Sequence, residues 1–267
     1  MGTNGKFKND SLGARMKKYE SIFKNKLIDK TYAIIRIDGK AFHTYTKGLT
    51  RPFDDGLIND MDATAAYLCK NIMGAKMAFV QSDEISIVIG DFSNPMAQSW
   101  FDNDVQKIVS VSASMASAKF NQLRLMRACS VQSEMVIPVI NETEIEEFRL
   151  AEFDSRVFQV PNKMEVFNYL VWRQQDTVRN SISSVAQSLY SHKELDGKKN
   201  DDKQEMIFAK GINWNDYPAS VKRGRLIIKT NYEISEGVTR NKWVSNGAPY
   251  FLKDRELFDE LLSGNDD

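Results

Sequence analysis

Cysteine and histidine are scarce in this chain of 267 residues, which contains two of each. Cys69 and Cys129 are too few for a disulfide framework and favour a reducing compartment. Apolar runs are also short: none approaches the roughly 18 residues that a membrane-spanning helix needs. The first residues lack the apolar core of a signal peptide. We therefore expect a cytoplasmic protein with no membrane partner.

The chain also lacks a net charge, because its 36 basic and 36 acidic residues cancel. No overall field therefore attracts a polyanion, although balanced totals can conceal local patches. Hydrophobic residues make up 42% of the chain, which is enough for one large core or two smaller ones. Internal repeats and an obvious linker are missing too. These features indicate a globular protein whose function must be sought segment by segment.

The first 160 residues alternate between strand-like and helix-like patterns. In chain order, the sequence predicts a strand at 31–37, a helix from Asp54 or Asp55 to Gly74, strands at 77–80 and 85–89, a helix at about 98–120, and a strand at 153–161. The order βαββαβ is that of the ferredoxin-like fold, an α+β sandwich with an antiparallel four-stranded sheet and two helices on one face.

Two aspartates mark the strand ends that this fold would bring together. Asp38 ends the first strand, and Asp83 lies in the hairpin connection 81–84. Both are also common turn residues, so ordinary turns are the alternative interpretation. Neighbouring carboxylates repel unless a cation lies between them, and hard oxygen ligands suit Mg²⁺. The pair therefore suggests a two-metal site for phosphoryl transfer.

The segment after Asp38 is rich in hydrogen-bond donors suited to a triphosphate. Gly39 allows close approach of a ligand to the backbone. The donors are Lys40, His43, Thr44, Lys47 and Arg51. A solvated loop is the alternative for these side chains, and His43 could equally be a packed turn residue.

Several separate strings resemble, in the right order, motifs of the tRNA(His) guanylyltransferase family. They are RIDGKAFHTYTKG at 36–48, RPFDDGL at 51–57, FVQSDEISIVI at 79–89, FDSRVFQVP at 153–161 and YLVWRQQDTVRNSI at 169–182. The resemblance implies a polymerase-type palm that adds nucleotides to the 5′ end of RNA, opposite to ordinary polymerases. It further implies two Mg²⁺ ions and a homotetramer.

The resemblance also assigns roles to individual residues of this chain. It implies that Asp38 and Asp83 are catalytic and that, with the carbonyl of Gly39, they bind the metal ions. It places the nucleotide triphosphate against Lys40, Ala41, Phe42, His43, Arg51 and Ser82. Arg51 stands where the family often has lysine, and it keeps the charge while offering a planar fork.

A long helix predicted at about 163–190 has two distinct sides. Its apolar side carries Val171, Val178, Ile182, Val185 and Leu189, and its polar stripe carries Arg173, Asp176, Asn180, Ser183 and Gln187. Such a stripe can be a solvated face, but the resemblance covers it and favours a second site that activates the RNA 5′ end with ATP. The residues expected in this activation site are Arg36, Arg173, Asp176, Asn180 and Lys203.

Beyond the long helix the patterns weaken. Residues 196–205 read as a polar loop. Residues 203–255 contain ten basic and five acidic residues, and Lys222, Arg223 and Arg225 at the start of a strand are the predicted RNA-binding residues. Aromatic residues nearby could stack or pack. We expect one catalytic unit over 1–267, with a palm at about 25–162 and a helical and β-hairpin extension at about 163–267 packed on it.

One departure from the family pattern bears on function. Members that add the extra guanosine to histidine tRNA tend to carry His-Ile-Asn-Asn, whereas this chain has Val178-Arg179-Asn180-Ser181. The chain thus resembles the guanylyltransferase-like branch, which implies template-dependent repair of 5′-truncated tRNA using ATP, GTP and other nucleoside triphosphates. The alternatives are guanosine addition to histidine tRNA, a palm-type nucleotide cyclase, and a non-catalytic RNA-binding module.

Overall fold

A six-stranded antiparallel sheet forms the centre of the protein. The computed structural model describes residues 11–90, 96, 98–131, 149–235 and 238–263. The strands are β1 (Tyr32–Gly39), β2 (Ala75–Gln81), β3 (Glu84–Ile89), β4 (Phe153–Val160), β5 (Arg225–Ser235) and β6 (Val238–Gly247). They lie in the order β4-β1-β3-β2-β5-β6. The four strands predicted from the first 160 residues are therefore adjacent, and the C-terminal hairpin extends the sheet beyond β2.

Helices account for most of the remaining described structure. They are α1 (Ser11–Ser21), α2 (Phe42–Tyr45), α3 (Asp55–Asn71), α4 (Val105–Val131), α5 (Lys163–Leu189), α6 (His192–Leu195), α7 (Asn200–Ala209), α8 (Ala219–Lys222) and α9 (Arg255–Ser263). The Asp54 side chain caps α3 by accepting from the amide of Leu57, and Asn162 caps α5 in the same way from Glu165. Among the described residues, no helix is long and apolar enough to cross a membrane.

The alternation of side chains along the strands builds a core on each face of the sheet. Ile35 and Ile37 of β1 belong to the cluster that α3 and α4 cover with residues such as Met61 and Phe120. This confirms the two helices predicted on one face. The opposite face carries a second cluster of residues from the sheet, α5 and α9: Tyr32, Phe79, Val88, Leu170 and Phe258.

Two boundaries differ from the sequence-based expectation. Gln81 pairs with Glu84, so the β2–β3 connection has only two residues, Ser82 and Asp83. The second long helix begins at Val105, after a 3₁₀ turn at Trp100–Asn103, and it continues well past residue 120.

The polar loop predicted at 196–205 is wrong from Asn200 onward, where α7 begins. The Asp202 side chain accepts a hydrogen bond from the Lys199 amide at 2.9 Å in a capping arrangement. The positive end of the helix dipole stabilises the acidic side chains in the first turn of α7, Asp201 and Asp202. Ile207 alone is buried, so the segment lacks an apolar stripe by which the sequence would have identified the helix.

Candidate active site

Strand register places three acidic residues side by side at one end of the sheet. Asp38 on β1 lies opposite Glu84 of β3 and opposite Asp154 of β4. Ile35 and Ile37 point to the α3 and α4 face, so Asp38 points to the α5 face. The Ser82-Asp83 turn closes the same end of the β2–β3 hairpin. Asp38 and Asp83 thus share one end of the sheet.

The electrostatic states of these two aspartates are linked. Burial raises the pKa of Asp38, and the carboxylates of Glu84 and Asp154 raise it further, against the opposing charge of Arg36. Burial also raises the pKa of Asp83; the Ser82 hydroxyl works in the other direction, while the Asp38 carboxylate adds to the rise. Burial is thus the first cause of the raised pKa of both aspartates, and the Asp38 carboxylate further disfavours ionisation of Asp83.

Glu84 is buried next to this pair and is held by two arginines. Its Oε2 lies 2.7 Å from Nη2 of Arg36 and 2.7 Å from Nη2 of Arg173. Nε of Arg173 donates to Glu84 Oε1 at 2.8 Å, and the Ser86 hydroxyl donates to the same oxygen at 3.3 Å. Its oxygens are thus taken by fixed donors, and this leaves Asp38 and Asp83 as the candidate metal ligands.

The ion-pair network continues from Glu84 along α5. Nη2 of Arg173 also donates to Asp176 at 3.0 Å, and Asp176 accepts from Arg179 at 3.0 Å. Burial works to lower the pKa of Arg173, but the Glu84 carboxylate outweighs it and the pKa is raised. On the strand side, Arg36 reaches Asp38 at 3.4 Å, and its buried Nε has no hydrogen-bond partner among the described residues.

A cleft of about 580 Å³ lies over this end of the sheet. The predicted site residues that line it are Arg36, Asp38, His43, Arg51, Ser82, Asp83, Arg173, Asp176, Asn180 and Arg225. The two predicted metal-binding aspartates, part of the predicted triphosphate segment and most of the predicted activation site therefore face one cavity. In the described part of the chain, no group of three or more His, Cys, Asp and Glu side chains is arranged to hold a metal ion.

Three predicted nucleotide-binding residues do not line the cleft with their side chains. Lys40 is exposed and pairs with Glu152 at 2.5 Å. The Phe42 ring is buried in the core, where it packs against other aromatic rings. Ala41 has a left-handed backbone (φ 52) that turns the chain from β1 into α2. Only their backbones remain candidates for contact with a nucleotide.

The packing of the core requires glycine at position 39. A Cβ at this position would overlap the ring of Phe42, well inside van der Waals contact. The missing side chain therefore allows a core aromatic ring to approach the backbone, and the close approach of a ligand at Gly39 stays a prediction. Because Asp38 precedes it directly, this packing also fixes the end of β1.

The predicted basic residues of the C-terminal part differ in their surroundings. Nζ of Lys203 donates to the Ser183 hydroxyl at 3.0 Å, and Ser183 lines the cleft. Lys222 lies over the ring of Trp214 at 5.4 Å, with its ammonium group bonded to the carbonyl of Asn215. Nε of Arg223 donates to the carbonyl of Ala248 at 3.2 Å.

Arg225 is not part of an exposed basic surface, contrary to the prediction. It is 4% exposed, and its Nε donates to Asp62 of α3 at 2.5 Å. Leu226 packs on the α5 face and Ile227 on the α3 face, so alternation along β5 turns Arg225 toward α3 as well. Much of its charge is therefore compensated within the fold, but Arg225 also lines the cleft, and its buried Nη2 has no hydrogen-bond partner among the described residues.

Sequence reasoning missed the structural role of Glu84. Its place beside Asp83 at a hairpin tip suggested an exposed acidic turn. A two-residue turn instead makes Glu84 the first residue of β3, directly opposite Asp38. The available signal was Arg36, two positions before Asp38 on the same strand face, because a buried arginine requires an acidic partner.

Comparisons with known proteins agree with the motifs. The family model described as tRNAHis guanylyltransferase matches residues 13–161. A bacterial tRNA(His) guanylyltransferase (Thg1)-like protein, solved in complex with ATP, is 43% identical over 94% of this chain and 98% of its own, with a TM-score of 0.79. A bacterial Thg1-like protein solved in complex with GTP is 42% identical over 95% of this chain and 99% of its own, with a TM-score of 0.77.

Relatives named as the enzyme proper are more distant. The tRNA(His) guanylyltransferase of Saccharomyces cerevisiae is 26% identical over 79% of this chain and 91% of its own, with a TM-score of 0.61. The probable tRNA(His) guanylyltransferase of Dictyostelium discoideum is 28% identical over 81% of this chain and 83% of its own. With more than half of its length matched by the family model, the chain belongs to the tRNA(His) guanylyltransferase family of nucleotidyltransferases.

Proposed function

We propose that this protein adds nucleotides to the 5′ end of tRNA in the 3′–5′ direction and repairs 5′-truncated tRNA with the opposite strand as template. The observation that carries the proposal is one cleft in which the Asp38 and Asp83 pair lies between two sets of polar groups. His43 and Arg51 come from the segment after β1, and Arg173 and Asn180 come from α5. A reaction between two phosphorylated substrates needs such a divided site.

The acidic pair fits two Mg²⁺ ions. The ligands would be Asp38, Asp83 and the carbonyl of Gly39, and their hard oxygen chemistry suits this ion. Burial and then neighbouring carboxylates raise the pKa of both aspartates, and a bound cation would offset this cost of ionisation. Bound there, Mg²⁺ would activate the attacking hydroxyl and neutralise charge on the departing phosphate. With the ions bound, this site would work as that of a polymerase-type palm.

The first wall of the cleft binds the incoming nucleoside triphosphate. His43 and Arg51 donate to phosphate oxygens, and Ser82 lies beside the metal-binding aspartates. Charge-assisted hydrogen bonds of this kind are about twice as strong as neutral ones. The relatives solved with ATP and with GTP support nucleotide binding by this fold.

The second wall activates the RNA. Arg36 and Arg173, both fixed by Glu84, face the 5′-monophosphate, while Asp176, Asn180 and Lys203 lie along α5 and α7. An RNA phosphate oxygen attacks the α-phosphorus of ATP, and pyrophosphate leaves. The 3′-hydroxyl of the incoming nucleotide then attacks the activated 5′-phosphorus, AMP leaves, and the hydroxyl proton passes to solvent.

Template pairing selects the nucleotide in this proposal. Val178, which stands where histidine-tRNA enzymes tend to have histidine, has no hydrogen-bonding side chain and is partly buried. Guanosine addition to histidine tRNA is the second candidate, favoured by the names of several relatives. A nucleotide cyclase would not require the polar side of α5.

The decisive experiment uses the purified chain with Mg²⁺, ATP, labelled nucleotides and a tRNA that lacks its first 5′ nucleotide. Addition is expected to follow the base opposite the gap when that base is changed in turn. Guanosine addition regardless of the opposing base would support the histidine-tRNA alternative. No addition to any 5′ end would refute the proposal and favour the cyclase or a binding module.

We also propose that residues 1–267 act as one catalytic unit and assemble as a homotetramer. The pairing of β2 with β5 supports the single unit, because it places the C-terminal extension in the same sheet as the acidic pair. Light scattering after size-exclusion chromatography tests the tetramer.

A further inference from the structure

We infer that the protein holds the unpaired 3′-terminal nucleotides of its RNA substrate on a stacking surface outside the cleft, across α5 from the acidic pair. This inference rests on the proposed function. The surface, called here the stacking groove, is a cavity of about 230 Å³ lined by Val171, Gln174, Gln175, Val178, Arg179, Tyr250 and Leu252.

Tyr250, which lines the stacking groove, has an exposed ring, and so does Trp172, the chain neighbour of the groove residue Val171. Tyr250 is 43% exposed, and Trp172 of α5 is 50% exposed, which is unusual for rings of this size. Among the described residues, nothing covers either ring as fully as a core side chain is covered. Every nucleobase has a π face, so aromatic side chains of this kind bind unpaired bases without regard to sequence.

Positive charge accompanies the rings. Arg179 lines the groove with a half-exposed side chain, and Nζ of Lys253 lies 5.9 Å from the centre of the Tyr250 ring. The acid nearest in the network, Asp176, is already matched by Arg173 and Arg179. Cations alone would suit an acidic peptide as well as a nucleic-acid strand. Exposed aromatic rings beside the cations favour the nucleic-acid strand, whose bases stack on rings and whose phosphates pair with cations.

The groove is held in shape by α5 itself. Nε2 of Gln174 donates to the carbonyl of Pro249 at 2.7 Å, and Oε1 of Gln174 accepts from the amide of Phe251 at 2.9 Å. These bonds fix the residues on either side of Tyr250 to the helix. A preorganised ring loses little conformational entropy when a base stacks on it.

Continuity with the cleft identifies which nucleotides bind. Arg173 faces the cleft and also stacks on Trp172 at 4.6 Å, and the Asp176–Arg179 pair crosses the same helix from cleft to groove. If the recessed 5′ end and its template base occupy the cleft, the strand that continues past the template base leaves across α5. Its unpaired 3′ nucleotides then reach Tyr250.

The test compares two RNA hairpins that share a 5′ end recessed by one nucleotide and the same template base. One hairpin ends at the template base, and the other carries three further unpaired 3′ nucleotides, one of them 2-aminopurine. We expect the wild-type protein to bind the extended hairpin about tenfold more tightly, which corresponds to about 1.4 kcal/mol, because the added bases stack on aromatic rings. Binding should also quench the 2-aminopurine fluorescence.

Tyr250→Ala should remove both the tighter binding and the quenching, and Tyr250→Phe should retain them. Tyr67→Ala is the matched control, because Tyr67 is also exposed and lies under a lysine, Lys119, but on α3 at the other face of the sheet. Equal binding of the two hairpins by the wild-type protein, or equal losses in the two alanine variants, would overturn the inference.

Nucleotide addition is measured in parallel on the hairpin without the extension. Normal addition there, with no effect of the extension, refutes the stacking groove and leaves the proposed function standing. No addition to either hairpin refutes the proposed function, and the fluorescence of the wild-type complex then decides the groove by itself.

Discussion

The carboxylate of Glu84 and the guanidinium of Arg173 form a two-point ion pair, with Oε1 2.8 Å from Nε and Oε2 2.7 Å from Nη2. The pair joins the β2–β3 hairpin to α5 across 89 positions of sequence. Both side chains are almost fully buried, and their charges are compensated within one network that also includes Arg36 and Asp176. The geometry fixes Arg173 at the cleft more firmly than a single contact would.

Removal of the Glu84 charge should therefore destabilise the protein. Glu84→Gln leaves Arg36 and Arg173 without their shared counter-ion, and breaking a buried pair in this way costs about 3–5 kcal/mol. Urea unfolding of the variant and the wild type measures the loss. Glu152→Gln is the control, because its pair with Lys40 is exposed and should have little effect. Equal stability of the two variants would show that the network is dispensable.

Removal of either metal-binding aspartate should abolish nucleotide addition and spare the fold. Asp38→Ala and Asp83→Ala each leave too few carboxylates for the proposed ions. Their circular dichroism spectra should match that of the wild type. Turnover close to the wild-type rate by either variant at saturating Mg²⁺ would contradict the two-metal site.

The same aspartates should make stability depend on pH in an unusual direction. Because the pKa of Asp83 is raised in the folded protein, its protonated form favours folding, and this contribution is lost as the pH rises through the raised value. Asp83→Asn should thus melt at a higher temperature than the wild type at pH 7 without Mg²⁺. The difference should vanish below about pH 4, where the group is protonated in both states.

Added Mg²⁺ provides the control for that comparison. At pH 7 the ion should raise the melting temperature of the wild type, because it binds the folded state, and it should have less effect on Asp83→Asn. A variant that is less stable than the wild type at pH 7 without Mg²⁺ would mean that the Asp83 carboxylate is stabilised by its surroundings.

The side chains of His43 and Arg51 should matter more for nucleotides than for RNA. Replacement of either by alanine removes a charge-assisted phosphate contact, and the expected loss of about 1.5–3 kcal/mol corresponds to a rise of roughly 10- to 150-fold in nucleotide KM. RNA affinity is measured separately. Lys40→Ala serves as the control, because Lys40 pairs with Glu152 and does not line the cleft. An equal rise in nucleotide KM for Lys40→Ala would show that the Lys40 side chain also contacts the nucleotide.

Much of the sheet and of the acidic pair could be predicted because local patterns determine them. Strand alternation and a short hairpin are properties of neighbouring residues, and they place Asp38 and Asp83 at one end of the sheet in any ferredoxin-like arrangement. The start of α3, predicted at Asp54 or Asp55 and confirmed by the cap at Asp54, is equally local. Short-range regularities of this kind survive in a single sequence.

The parts that escaped prediction depend on long-range contacts. Arg225 looks like a member of a basic cluster, and only the pairing of β5 with β2 shows that it is turned toward Asp62. Glu84 looks like a solvent-facing acid until α5 supplies Arg173. The side chain of Phe42, similarly, packs in the core because Phe120 and Phe153 are there to receive it. None of these partners can be recognised from spacing.

The pairing of β2 with β5 limits how such an enzyme can diversify. Exchange of the C-terminal part by recombination would have to supply, in one event, a strand for β2 and a buried cation for Glu84. A transplanted segment that met only one of these demands would leave an open sheet edge, or would leave Glu84 without one of its two arginine partners. New substrate preferences are therefore expected to arise by point substitution on exposed positions of α5 and the residues around Tyr250, rather than by domain shuffling.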